Sequence, residues 1–387
     1  MKKWIPALVA IVLIIVIGAV ALGGKILERY SYSKEQANLA EYFDVRGDGD
    51  GPIILQDERI EEHARLLDGV CYFDYATVHK YFNDRFYEDP KEGLLLYTLP
   101  DAIVRTTIGT QEVTKGAEQE NRDYIIARYE GDTLYVAADF VKEYTNFSYQ
   151  LFENPYHMQV YTQWPARQMA TVTKDTQIRY QGGIKSDILR QVAKGEDVVV
   201  LEEMETWSKV KTQDAYIGYI ENKRLSEKRT EEPIPVTDYA EPVYESNTRD
   251  HKINLAWHGV GGMSGNDTLS EMMANVKSVN VISPTWFALT DNEGNFSNYA
   301  SQEYVDKAHA MGLEVWALVD NFTGGEVDTY EVLAGTTKRT KLIDSLVATA
   351  LQYGLDGINV DFENISQEAG EPFIEFIREL SIPCREH

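Results

Sequence analysis

Past residue 250 the chain alternates apolar segments with amphipathic helical stretches, and this alternation constrains its fold more than any other feature. Segments 253–257, 279–283, 313–319 and 357–362 are rich in Val, Ile and Leu. The helical stretches between them end near Met311 and Tyr353, each followed by a glycine, Gly312 or Gly354, suited to a left-handed C-cap. Strands and helices alternating in this way imply a parallel sheet, because a strand rejoins its neighbour in the same direction only through a crossover. Strands that end in polar or aromatic residues fit a β/α barrel, whose site lies at the C-terminal strand ends. Residues 251–387 are about half of the ~250 that an eight-stranded barrel takes. The expectation is therefore a truncated (β/α)8 TIM-type barrel, in a chain that is a fragment of a longer protein.

The fourth segment reads Asp356-Gly357-Ile358-Asn359-Val360-Asp361-Phe362-Glu363-Asn364. Side chains alternate along a strand, so Asn359, Asp361 and Glu363 share one face while Ile358, Val360 and Phe362 share the other. With the apolar set against helices, two carboxylates and an amide point into the barrel. Unpaired charge there costs several kcal/mol, which a functional site explains and stability does not.

These residues resemble the fourth-strand motif Asp-Gly-x-Asp-x-Asp-x-Glu of glycoside hydrolase family 18. Ser283-Pro284-Thr285-Trp286-Phe287, Tyr304-Val305, Ala308-His309 and Val315-Trp316-Ala317-Leu318-Val319-Asp320-Asn321 are similar to its spore-germination and cell-wall branch. Asn359 stands where the family has its first inward Asp. Glu363 is then the general acid. The resemblance implies that the substrate's own acetamido oxygen is the nucleophile, that Asp361 orients that group, and that Asn359 holds Asp361. Substrates would be N-acetylated glycans, peptidoglycan first and chitin second, with no cofactor and no metal. Trp257 and Trp286, which end or follow strands, are candidates to stack on sugar faces, and Asn321 is a further substrate-binding candidate. His258 is expected to be a structural histidine.

The rest of the chain predicts a multidomain protein. Residues 5–24 form an uncharged apolar run long enough for a transmembrane helix, a signal anchor within 1–24. Lys2 and Lys3 before it place the remainder outside the membrane, facing the cell wall. Residues 25–51 read as a linker, whose Asp44, Asp48 and Asp50 do not keep the register of a calcium loop. Residues 52–165 read as an α+β domain, faintly resembling copper amine oxidase N-terminal-like modules. His63, His79 and His157 within it lack metal-ligand spacing. Residues 168–228 carry short strands around Trp207 and Gly218-Tyr219-Ile220 and resemble a bacterial Src-homology-3-like domain, a small β-barrel. Residues 229–250, with Pro233, Pro235 and Pro242, read as a second linker.

Asp and Glu total 62 against 37 Lys and Arg, for a net charge of -25, which excludes a nucleic-acid binder. Cys71 and Cys384 lie too far apart in the chain to suggest a disulfide framework. Two function classes follow: a membrane-anchored glycosidase, or a non-catalytic wall-binding scaffold that uses the middle of the chain.

Overall fold

The computed structural model describes residues 5–235, 237, 239–322 and 327–387, with backbone alone at 5–8, 18–19 and 21–27. The chain is mainly β-structure and divides into two compact units, Met1–Phe73 with Val141–Tyr239, and Asp74–Phe140 with Ala240–His387. The stretch 52–165 therefore contributes to both.

In the first unit, strand Asp50–Leu55 runs parallel to His157–Tyr161 and antiparallel to Glu58–Leu67. Arg167–Thr171, Asp197–Glu203, Trp207–Lys211 and Ile217–Glu221 belong to a seven-stranded antiparallel sheet. Alternation along its strands sends Ala170, Ile178, Val198, Val210 and Ile220 into one core with Phe43 and Ile54. Gly218 is required there, since a Cβ would lie 2.6 Å from the Arg179 carbonyl oxygen. The three histidines are held by protein groups. His63 Nδ1 bonds Asp50 at 2.8 Å, and His157 Nε2 bonds the Asp214 carbonyl at 2.8 Å. In the second unit His79 Nε2 bonds the Phe86 carbonyl at 2.6 Å.

The second unit joins an antiparallel meander to the alternating region. The meander comprises Phe86–Asp89, Leu94–Thr98, Ile103–Thr107, Glu112–Lys115 and Glu118–Asn121. The alternating region forms a parallel sheet in the order Leu255–His258, Val281–Leu289, Glu314–Asp320, Gly357–Asp361, with Phe296–Asn298 antiparallel to the second strand. Helices Gln302–Ala310, Thr336–Tyr353 and Gly370–Glu386 contribute Tyr304, Leu342, Leu346, Phe376 and Leu380 to the core beneath it. Ser301 caps the first of these helices, and Gly354, at φ 64°, closes the second.

A buried polar network fastens the meander to the helices. Asp89 accepts from the backbone and side chain of Thr336, both at 2.6 Å, and Thr98 donates to Glu375. Arg339 makes two bonds to Glu379, at 2.8 and 2.9 Å, with its guanidinium 4.8 Å from the Tyr87 ring centre.

Two fold expectations are corrected. The (β/α)8-type barrel does not form among the described residues. Leu255–His258 and Gly357–Asp361 are the edges of an open sheet, and closure would require each to pair on its second side. The transmembrane helix, and with it single-pass membrane placement, is also overturned. Helix Ile5–Tyr30 forms, but among the described residues no helix is long and apolar enough to cross a membrane. Lys2 and Lys3, which carried the orientation, lie outside the described residues.

Candidate active site

The site is built at the C-terminal ends of the two adjacent strands Glu314–Asp320 and Gly357–Asp361. Their parallel register pairs Trp316 with Gly357, Leu318 with Asn359 and Asp320 with Asp361. Partners in register lie on the same face, so Asp320, Asp361 and Asn359 share a face with Trp316. The intervening Val315, Ala317 and Val319 are buried in the core on the opposite face, and Ile358, Val360 and Phe362 pack against that core. Glycine is needed at 357 because the Trp316 indole crosses it, leaving 2.9 Å between a Cβ and Cδ1.

Asp361 ends its strand half-buried. Asn359 does not hold it. Its amide instead donates to Ser283 Oγ at 3.1 Å, two strands away, where Ser283 is wholly buried. A second carboxyl does lie beside Asp361. Asp320 is 9% exposed, and burial, followed by the charge of Asp361, pushes it above the ordinary aspartate range, against the pull of the Phe322 N–H at 3.1 Å. Asp320 was not singled out from sequence. The available signal was its place as the last polar residue of the third apolar segment, level with Asp361.

Glu363 lies two residues past its strand, and its side chain is exposed. What fixes it is Asn321. The Asn321 amide accepts the Glu363 N–H at 2.9 Å and donates to the Glu363 carbonyl at 2.9 Å and to Thr329 Oγ1 at 2.8 Å. Asn321, expected to bind substrate, thus spends its amide on the loop that carries Glu363. Asn321, Phe322, Tyr330, Glu363 and Ser366 line an open cleft of about 710 Å³.

The tryptophans are placed differently from expectation. Trp286 is fully buried, its indole N–H donating to Asn266 Oδ1 at 2.8 Å and its ring edge-on to Tyr304 at 5.0 Å, so it has no face to offer a sugar. The apolar environment that buries the strand's helix-facing side claims this ring as well. Trp257 is 65% exposed on the edge strand, opposite Ser283 in register. Phe322, 50% exposed in the cleft, is an aromatic surface that sequence reasoning missed. His258 bridges Tyr304 Oη and Thr268 Oγ1 at 2.8 and 2.9 Å, and burial holds it below its ordinary range, which makes it a neutral structural group.

Comparison with known proteins adds the following. Residues 174–226 match the bacterial SH3 domain family, inside the 168–228 span expected for it. No curated protein is similar to the chain. Solved structures similar to part of it include a chitinase from Chromobacterium violaceum ATCC 12472, 20% identical over 35% of this chain and 42% of that one, with a TM-score of 0.29. The spore cortex-lytic enzyme SleL from Bacillus cereus is 17% identical over 38% of this chain and 36% of that one, with a TM-score of 0.30. A class V chitinase from Pseudomonas fluorescens Pf-5 is 19% identical over 34% of this chain and 41% of that one, with a TM-score of 0.29. The chain spans about two fifths of the length of the solved structures it matches.

Proposed function

We propose that the chain carries the acid-and-orienter half of a glycosidase that cleaves glycans of N-acetylhexosamine, with retention and with help from the substrate. The observation that carries this reading is the succession of Asp361, at a strand end beside a buried carboxyl, and Glu363, two residues on, at an open cleft. Glu363 donates its proton to the glycosidic oxygen as that bond breaks. The acetamido oxygen of the same sugar closes on the anomeric carbon, and Asp361 orients that group and balances the positive charge of the oxazolinium-like intermediate. Water then opens it, returning a proton to Glu363, so no enzyme nucleophile is needed, in contrast to the two-carboxylate scheme. Phe322 and Trp257 offer rings to sugar C–H faces. The bacterial SH3-like segment favours peptidoglycan over chitin as the glycan.

In the test, the whole chain and its Glu363→Gln variant are incubated with peptidoglycan and with N-acetyl chitooligosaccharides. The parent is expected to release reducing ends and the variant to lose that release. Equal release by both overturns the reading.

The solvent exposure of Glu363 favours a second reading, a wall-binding protein without hydrolysis, since an acid that must stay protonated at neutral pH is better served by burial. A chain that sediments with purified wall yet releases no reducing ends supports it.

A further inference from the structure

We propose that Asp320 is a positioning residue for Asp361: a second carboxyl, supplied by the neighbouring strand, that faces Asp361 where Asn359 turns away to Ser283. The inference rests on the reading of Asp361 as the group that orients the acetamido. Its basis is geometric. Asp320 and Asp361 are register partners at the C-terminal ends of adjacent parallel strands, and their side chains leave the sheet on one face. Asp320 is the more buried of the two, at 9% exposure. The Asn359 amide, which the spacing along the strand would otherwise aim at Asp361, is committed to Ser283 Oγ at 3.1 Å.

Two carboxylates side by side at the C-terminal end of an apolar sheet do not both ionise readily. Of the two, the buried one holds its proton to higher pH, and burial together with the charge of Asp361 acts in that direction on Asp320. A protonated Asp320 donates an O–H to the Asp361 carboxylate. That bond fixes which oxygen Asp361 turns to the acetamido group. The charge that acts on Asp320 comes from Asp361, and the turn after its strand contributes the Phe322 N–H. Among the described residues no Lys, Arg or His is paired with it.

The test uses the full chain labelled with ¹³C at Asp side chains, titrated by NMR as parent, Asp361→Asn and Asp320→Asn, the last assigning the Asp320 resonance. Asp320 is expected to titrate above the ordinary aspartate range and to move to lower pH when Asp361→Asn removes the neighbouring charge. An Asp320 that titrates in the ordinary range, or that is unmoved by Asp361→Asn, overturns the proposal. This readout needs no turnover, so the loss of the hydrolase reading, seen as unchanged sugar release by Glu363→Gln, remains distinguishable from the loss of this one. Where the parent does hydrolyse glycan, Asp320→Ala lowers kcat by roughly 10-fold or more. Asp320→Asn, whose amide still donates, loses less. Equal loss in the two variants counts against positioning.

Discussion

Trp286 and Asp320 show how far a side chain's role depends on what surrounds it. A tryptophan after a strand looks like a sugar platform, but here the ring fills the core and its N–H satisfies the buried Asn266. Trp286→Ala should therefore destabilise the chain by about 3–5 kcal/mol, through the cavity and the orphaned amide oxygen, read as a lowered urea midpoint. Asp320 makes a prediction of the opposite sign. Its carboxyl is held above the ordinary range in the folded state, so the folded chain binds that proton more tightly than the unfolded chain does. Stability then falls as pH rises above the ordinary aspartate value and is lowest above the folded midpoint, so a penalty is already present at neutral pH. Asp320→Asn removes it while keeping an oxygen for the Phe322 N–H. The variant should be more stable than the parent at about pH 7, with the margin shrinking towards about pH 3, below the ordinary aspartate range. Urea unfolding at the two pH values checks this.

At the scale of elements, the second unit depends on how helices Thr336–Tyr353 and Gly370–Glu386 meet each other and the meander. Arg339 and Glu379 are both almost completely buried and face one another through two hydrogen bonds. Such a pair adds little net stability over an apolar pair, but removing one partner strands a buried charge. Glu379→Ala should cost about 3–5 kcal/mol by that mechanism. The double change Arg339→Met with Glu379→Leu should restore most of the loss, and thermal unfolding of the three chains separates the cases. The meander is attached to these helices through other groups. Strands 86–121 show ordinary alternation, and nothing in their spacing tells that Asp89 and Thr98 find partners near residues 336 and 375.

For the molecule as a whole the dominant quantity is its net charge of -25. A wall glycan bearing carboxylates repels such a chain, and salt screens that repulsion as the Debye length drops from ~30 Å at 0.01 M to ~8 Å at 0.15 M. Binding to purified peptidoglycan should strengthen over that range, whereas binding to uncharged N-acetyl chitooligosaccharides should barely change. Sedimentation and calorimetry at the two salt concentrations compare them, and a wall affinity that falls with salt would point to recognition by a local basic patch instead.

What the sequence determined by itself is whatever depends on short-range periodicity. The helix-closing Gly312 and Gly354 and the four apolar segments are legible because a strand repeats every two residues and a helix every 3.6. So are the placement of Ile358, Val360 and Phe362 against the core and the SH3-like segment around Trp207. Tertiary structure alone decided what depends on neighbours distant in sequence. Whether the sheet closes is set by edge pairing, and among the described residues the four strands have two unpaired outer sides and stay open. Which carboxyl meets Asp361 is set by register between strands, and that register brings up Asp320 from 41 residues earlier while Ser283 draws Asn359 away. An apolar run at the N-terminus reads the same in sequence whatever surrounds it, and the membrane expectation is overturned because no helix among the described residues is long and apolar enough to cross a membrane. Periodicity is local and therefore written in the chain, whereas register, closure and burial are relations between segments that exist only once the chain has packed.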